Sequence, residues 1–288
     1  MRIACDSTGN PRVLLPLVKS QLGLTPDIWM VYLAGIGATP AADVAWLHSQ
    51  GLGVGAVYAG VWGTSGLAGG YIRGQDDAAL AIARAQAIGL GPQTRLWLDI
   101  EPNWCANADR LAGAGTAASY MRGWADGFNG AAYLTGIYCD THDAVFVETF
   151  RASGLTALPL WSCEPQVTDF NQALRGWNAG SVPPATTVMW QAQINVPVGN
   201  GQVDLSVVAD NCDGFWGVST VPFVDVPANS WYAKDVETAV AAGLLKGETP
   251  THFFPNAPVT RAQLAAVCAR LVEILKLPTT TVGEEAPS

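Results

Sequence analysis

Short apolar runs alternate with longer Ala-rich segments through most of the chain. The runs are rich in β-branched and aromatic residues and are bounded by Gly or Pro, which predicts strands. The segments between them, such as residues 76–88 and 109–128, have apolar positions at helical spacing and predict helices. The eight predicted strands cover residues 2–6, 27–33, 52–59, 95–101, 135–140, 158–164, 186–194 and 202–208.

Eight strands that alternate with helices predict an α/β fold, a (β/α)8 TIM-like barrel over residues 1–217. The last connection, residues 197–201, is too short for a helix, so we expect the barrel to be irregular there. A doubly wound open sheet is the alternative. No Gly-rich phosphate-binding fingerprint follows the first predicted strand, which favours the barrel.

The pattern changes after a Gly-, Val- and Pro-containing break at residues 217–222. Residues 231–245 and 260–275 predict two helices, and Thr260 is the predicted N-cap of the second one. Residues 221–275 therefore predict a small all-α helix-loop-helix module, which is short for an independent core.

Composition narrows the class of protein. Hydrophobic residues make up 49% of the chain and charged residues 14%, which excludes a disordered protein. No apolar stretch reaches the ~18 residues of a membrane span. The net charge of −9 and a pI of about 4.7 argue against a nucleic-acid partner, because such sites need clustered Lys and Arg.

Cysteine and histidine spacing predicts neither a metal site nor a cofactor. The six cysteines form no C-x-x-C pair, and the three histidines are far apart in the sequence. Cys5, Cys139 and Cys163 lie in apolar runs and are predicted to be small buried side chains, with a disulfide as the alternative.

The two ends of the chain predict neither a leader nor a packed helix. Residues 1–6 show no secretory leader, so we expect either a mature chain or release by another route, such as lysis by a bacteriophage. Residues 276–288 are polar and acidic and predict a tail.

Two carboxylates mark the end of the fourth predicted strand. Side chains alternate along a strand, so Asp99 and Glu101 point to one face and their apolar neighbours to the other. Active sites of such barrels lie at the C-terminal ends of the strands. The pair therefore predicts a site at that end of the barrel.

Other acidic residues end or lie in predicted strands: Asp6, Asp140, Glu164 and Asp204. We expect them to converge on one rim, where clustered carboxylates raise the pKa of at least one member and keep it protonated as a general acid. Helix capping is the alternative for Asp6, Asp140 and Glu164 taken singly.

The second module resembles the S-layer homology (SLH) repeat. The resemblance rests on five ordered elements: FVDVP at 223–227, WY at 231–232, AVAAGLLKG at 239–247, FPN at 254–256 and VTRAQ at 259–263. It implies attachment to secondary cell-wall polymer, with Arg261, Thr260 and Trp231 as candidate contacts.

Arginine suits such a site because its guanidinium binds a carboxylate with two hydrogen bonds. The alternative for Arg261 is a simple pairing with a nearby acid in the first turn of the helix. Since members of the family typically carry three repeats and this chain carries one, we also predict a possible homotrimer.

The barrel resembles the Chalaropsis-type lysozymes and a related glycoside-hydrolase-like domain. The resemblance rests on Asp6, the Asp-x-Glu strand end at 99–101, GIY at 136–138, and WQ at 190–191 followed by VDL at 203–205. It implies Glu101 as general acid, Asp99 as the residue that stabilises positive charge or assists the substrate N-acetyl group, and Asp6 and Asp204 as lining of the subsite. The candidate substrate-binding residues are Trp97, Tyr138, Trp161, Trp190 and Gln191.

Tryptophan supports a sugar partner, since sugars stack on indole rings, although core packing is the alternative for each Trp, above all for Trp97. The sequence therefore predicts a glycoside hydrolase of the cell envelope or extracellular space that acts on peptidoglycan or a related wall glycan. The alternatives are a non-catalytic barrel that binds glycan or protein, and a bacteriophage particle component.

Overall fold

A computed structural model describes residues 1–35, 37–60, 66–101, 104–105, 116–177, 186–217, 223, 225–226, 230–249 and 252–274. The chain divides into two compact units, Met1–Val218 and Ser219–Ser288. The first unit is a closed barrel of eight strands. These are β1 (Arg2–Asp6), β2 (Ile28–Tyr32), β3 (Gly53–Tyr58), β4 (Arg95–Ile100), β5 (Leu134–Cys139), β6 (Leu160–Ser162), β7 (Thr187–Val198) and β8 (Gly201–Val208).

The barrel confirms the predicted fold class and its irregularity. Strands β1 to β7 pair in parallel in chain order, whereas β8 is antiparallel to both β7 and β1. The reason is the connection after Val198, a two-residue turn that begins at Gly199 with a φ of 58°. Such a turn can join only antiparallel neighbours.

Helices connect the parallel strands and cover the outside of the barrel. Several of them begin where a side-chain oxygen accepts a hydrogen bond from the first turn, as Asn10, Asp143 and Asp169 do. The helices whose bounds lie within the described residues of this unit are α1 (Pro11–Leu17, followed by a π-helical turn at Val18–Leu22), α2 (Ala41–Ser49), α3 (Gly70–Ala87), α4 (Ala117–Asp126), α5 (Ala144–Ala152) and α6 (Phe170–Gly176).

Helices α3 and α4 pack unusually close to each other. A Cβ atom at Gly74 would fall 2.2 Å from the backbone oxygen of Tyr120, and one at Gly123 would fall 2.0 Å from that of Tyr71. Only glycine fits at both positions. Residues 109–115 of the predicted helix lie outside the described residues, and α4 itself begins after a capping box formed by Thr116 and Ser119.

Most strands of the barrel are apolar along their whole length because both of their faces are buried. All six residues of β3 and all six of β4 are buried, because a strand that is enclosed by the barrel on one side and by helices on the other has no solvated face. Inside the barrel, the rings of Trp97 and Trp161 meet edge to face at 5.9 Å. The six cysteines are free thiols, and five of them are buried.

In its described residues the second unit has the helices α7 (Ala233–Ala241) and α8 (Arg261–Ile274). Thr260 caps α8 as predicted, since its hydroxyl accepts a hydrogen bond from the Gln263 amide at 3.1 Å. The Gln263 side chain accepts in return from the backbone N–H of Thr260 at 2.8 Å, which completes a capping box. The predicted tail lies outside the described residues, and among those described no helix is long and apolar enough to cross a membrane.

Candidate functional site

A cavity of about 290 Å³ opens at the end of the barrel where the parallel strands finish. Four carboxylates line it: Asp6 from the end of β1, Asp99 from β4, Glu101 immediately after β4, and Asp204 from β8. Asp204 reaches the same level as Asp6 because β8 runs in the opposite direction and pairs these two residues directly. The four acids predicted as catalytic therefore lie together.

Asp6 and Asp204 are held in place by hydrogen bonds to all four of their oxygens. The Tyr32 hydroxyl donates to Oδ1 of Asp6 at 2.8 Å, and the backbone N–H of Asn195 donates to Oδ1 of Asp204 at 2.6 Å. The Gln191 amide donates to Oδ2 of both residues, at 3.2 Å in each case. The pair is fixed before any ligand binds.

Burial dominates the electrostatics of this pair. Burial raises the pKa of Asp6, and the negative charge of Asp204 raises it further, although the hydrogen bonds from Tyr32 and Gln191 act in the opposite direction. Burial also raises the pKa of Asp204, against the hydrogen bond from Asn195. Two adjacent carboxyl groups in this setting ionise less readily than free ones.

Asp99 and Glu101 differ in depth. Asp99 is 8% exposed, and its Oδ1 has no hydrogen-bond partner among the described residues. Burial, followed by the charges of Glu101 and Asp6, raises its pKa to about 8. Glu101 lies at the mouth and is exposed, and partial burial followed by the charge of Asp204 raises its pKa.

Aromatic side chains form one wall of the cavity. The rings of Tyr138 and Trp161 meet edge to face at 4.8 Å, and Trp104 joins the lining from the segment after Glu101. The Trp161 indole N–H donates to the Ser206 hydroxyl at 3.2 Å, which fixes the ring. Among the described residues, none that lines the cavity carries a positive charge.

Of the predicted substrate-binding residues, Tyr138, Trp161 and Gln191 line the cavity. Trp97 is fully buried in the barrel core, outside the lining, with its ring against Trp161. Trp190 is adjacent to Gln191 in β7 and so points to the opposite face of the strand. Its indole N–H donates to the backbone oxygen of Pro165 at 2.8 Å.

The expectation that every strand-end acid reaches the rim is wrong for two of them. The Asp140 carboxylate accepts from the backbone N–H of His142 at 2.7 Å, and that of Glu164 accepts from Gln166 at 2.9 Å. One oxygen of each residue therefore serves a local turn after β5 or β6. This also differs from the helix capping given as the alternative, since the cap of α5 is Asp143.

Sequence reasoning missed Tyr32 as a site residue. It ends β2 beside β1, and a tyrosine at the C-terminal end of a strand next to Asp6 was the available signal. Trp104 stood out in the sequence only as one of many tryptophans. Among the described residues, no group of three or more His, Cys, Asp or Glu side chains could hold a metal ion.

The candidate polymer-binding residues of the second unit are exposed. Trp231 is 86% exposed, and Arg261 and Thr260 are exposed at the start of α8. The Thr260 oxygen already serves the capping box, so Arg261 is the better-placed donor of the two.

The closed barrel carries its carboxylates at the C-terminal ends of its strands, which is where the active sites of TIM-barrel enzymes lie. Residues 31–213 match the family described as the Rv2525c-like, glycoside hydrolase-like domain, and the chain belongs to that family. Residues 222–265 match the S-layer homology domain. Both resemblances read from the sequence are confirmed.

Solved structures show the same fold. An uncharacterized protein from B. stearothermophilus is 22% identical with a TM-score of 0.57, and the match covers 72% of this chain and 96% of that one. The Tat-secreted protein Rv2525c from Mycobacterium tuberculosis, solved with L-tartrate, is 16% identical with a TM-score of 0.51, covering 75% of this chain and 98% of that one. At these identities the likeness shows the fold alone.

One curated relative is an endoglucanase from Bacillus sp. (strain KSM-635), which is 30% identical over 118 residues. The match covers 40% of this chain and 11% of the endoglucanase. The chain therefore spans about a ninth of the length of that relative.

Proposed function

We propose that the protein is a glycoside hydrolase of the cell envelope that cleaves peptidoglycan or a related wall glycan. One observation carries the proposal: four carboxylates with raised pKa values share a cavity with an aromatic wall. Glycoside hydrolysis needs one protonated and one ionised carboxyl group beside the scissile bond, and sugars stack on aromatic rings.

Glu101 is the proposed proton donor to the leaving oxygen. It is the most exposed of the four acids, so a polymer can reach it, and its raised pKa favours the protonated form that a general acid needs. Asp99 lies deeper, and its Oδ1 has no hydrogen-bond partner among the described residues. In this mechanism its protonated carboxyl group donates a hydrogen bond to the N-acetyl group of the substrate below about pH 8, and it stabilises the positive charge that develops on the sugar only at higher pH, where it is ionised.

The SLH repeat supports attachment to the cell surface through secondary cell-wall polymer. In the proposal, Arg261 binds an acidic group of that polymer with two hydrogen bonds, and the exposed Trp231 provides an apolar contact. Attachment raises the concentration of the barrel at its substrate without any tight contact in the cavity.

The test is mass spectrometry of fragments released from purified bacterial walls by the wild type and by Glu101→Gln. We expect reducing-end muropeptides from the wild type and a loss of two to four orders of magnitude in the variant, about the contribution of a general acid. Glu164→Gln is the matched control, because its carboxylate serves a turn outside the cavity; it keeps full release.

Equal release by the wild type and Glu101→Gln would remove Glu101 from the mechanism. No release by either protein, on walls that retain both, would instead favour the alternative of a non-catalytic barrel that recognises glycan. The fully hydrogen-bonded Asp6 and Asp204 are compatible with that alternative.

A further inference from the structure

A single amide connects the two carboxylates on the β1–β8 side of the cavity. Nε2 of Gln191 donates to Asp6 Oδ2 and to Asp204 Oδ2, at 3.2 Å each. Its Oε1 accepts from the Tyr138 hydroxyl at 2.7 Å. Both hydrogens of the amide are in use, and the side chain is 2% exposed, so Gln191 has no donor left for a sugar hydroxyl.

The two acids determine which end of the amide faces them. A flipped amide would place its oxygen against two carboxylates, where acceptors would meet acceptors. The NH₂ group therefore stays on the side of Asp6 and Asp204, and the Tyr138 hydroxyl donates to Oε1 on the other side and holds the amide there. The ring of Tyr138 is in turn held by Trp161, with 4.8 Å between the ring centroids.

Without the Gln191 amide between them, the carboxyl groups of Asp6 and Asp204 would repel each other once both are ionised. Asp6 and Asp204 face each other across antiparallel strands. Tyr32 and the Asn195 backbone satisfy the outer oxygen of each acid, and among the residues that the structure describes only Gln191 donates to the inner ones. The other acidic groups of the cavity, Asp99 and Glu101, add negative charge when they ionise and cannot replace the amide.

We infer that Gln191 is a positioning residue: it holds Asp6 and Asp204 side by side, Tyr138 orients its amide, and it does not contact the sugar. This replaces the sequence-based prediction that Gln191 binds substrate. The expected effect of Gln191 on catalysis rests on the proposed function, whereas its expected effect on the titration of Asp6 and Asp204 does not.

The first test needs no activity. The carboxyl groups of Asp6 and Asp204 are titrated by ¹³C NMR in the wild type, in Gln191→Leu and in Gln193→Leu. Gln193 is the matched control on the same strand, since its amide donates to the backbone oxygen of Val167. Loss of the shared donor is expected to raise the midpoints of both acids by about one pH unit in Gln191→Leu and to leave them unchanged in the control.

Midpoints that stay unchanged in Gln191→Leu would overturn the inference. Circular dichroism first verifies that the variant folds; if it does not, the nearly isosteric Gln191→Glu replaces it and is expected to shift the same midpoints upward, since it substitutes a third carboxyl group for the donor.

The second test uses wall hydrolysis. A positioning role lowers kcat about tenfold to a hundredfold in Gln191→Leu with little change in KM, whereas a direct sugar contact raises KM and contradicts the inference. If the wild type releases no fragments, the proposed function fails, and the NMR titration still decides the role of Gln191.

Discussion

At the scale of single residues, the acids of the cavity fall into two kinds. Asp6 and Asp204 have every oxygen satisfied by a donor, whereas Asp99 is buried and its Oδ1 has no hydrogen-bond partner among the described residues. Burial and the charges of Glu101 and Asp6 favour the neutral form of Asp99. Alternation along β4 was enough to predict that Asp99 and Glu101 share a face, but their different depths depend on the walls around them.

This difference gives a pH-dependent prediction. The pKa of Asp99 is about 8 in the folded chain, above the ordinary value of 3.8, so its contribution to the free energy of unfolding is fully present below about pH 4 and is lost as the pH rises through 8. Asp99→Asn removes that dependence. The free energy of unfolding is measured by urea denaturation for both proteins. The value for the variant minus that for the wild type is expected to be higher at pH 9 than at pH 4 by on the order of a few kcal/mol.

Asp140→Asn is the control for loss of a carboxyl group, because Asp140 lies in a turn outside the cavity. If the free energy of unfolding changes equally from pH 4 to pH 9 in the wild type and in Asp99→Asn, Asp99 does not titrate in this range.

At the scale of elements, β8 and the helix pair α3–α4 each depend on a local backbone feature. The turn at Gly199 reverses β8 and brings Asp204 to the rim beside Asp6. The glycines Gly74 and Gly123 allow α3 and α4 to pack backbone against backbone. The short connection between β7 and β8 was predicted from the sequence. A glycine within a helix, by contrast, does not indicate which neighbouring helix packs against it.

The helix contact predicts a strong effect of one methyl group. Gly74→Ala would place a Cβ atom 2.2 Å from the Tyr120 backbone oxygen, so the helices must move apart. We expect a loss of about 1–3 kcal/mol in the free energy of unfolding, measured by urea denaturation, which is the usual cost of overpacking.

Gly176→Ala is the matched control, since nothing lies within 4 Å of a Cβ atom at that helical position. It is expected to leave stability unchanged or to raise it by up to about 1 kcal/mol, because alanine favours the helix. Equal losses in the two variants would contradict the close-packing argument.

At the scale of the whole molecule, the chain combines a barrel of the glycoside hydrolase-like family with one SLH repeat. The two units carry separate candidate sites, the carboxylate cavity and the exposed start of α8. The homotrimer and the bacteriophage particle component remain predictions. Because the sites lie in different units, binding to walls and hydrolysis are expected to respond to different substitutions.

Wall binding tests this separation in the full chain. Arg261→Gln is expected to weaken sedimentation with purified walls about tenfold, the effect of losing a charge-assisted pair of hydrogen bonds, while the hydrolysis of soluble wall fragments stays unchanged. Lys246→Gln removes the same charge from another exposed position of the unit and is expected to sediment like the wild type. Equal binding by all three proteins would exclude Arg261 as a polymer contact.

The order of strands and helices, the barrel, the SLH repeat and the face shared by Asp99 and Glu101 could all be predicted from the amino-acid sequence. These follow from local periodicity, turn residues and motif spacing, which the chain carries wherever it folds. The folded structure was needed to show that Trp97 lies in the core, that Tyr32 and Gln191 bind Asp6, and that Asp140 and Glu164 accept from backbone amides two residues away instead of lining the cavity. The contacts of Tyr32 and Gln191 with Asp6 join residues far apart in the chain, and they depend on the register in which the barrel closes, which no local pattern specifies.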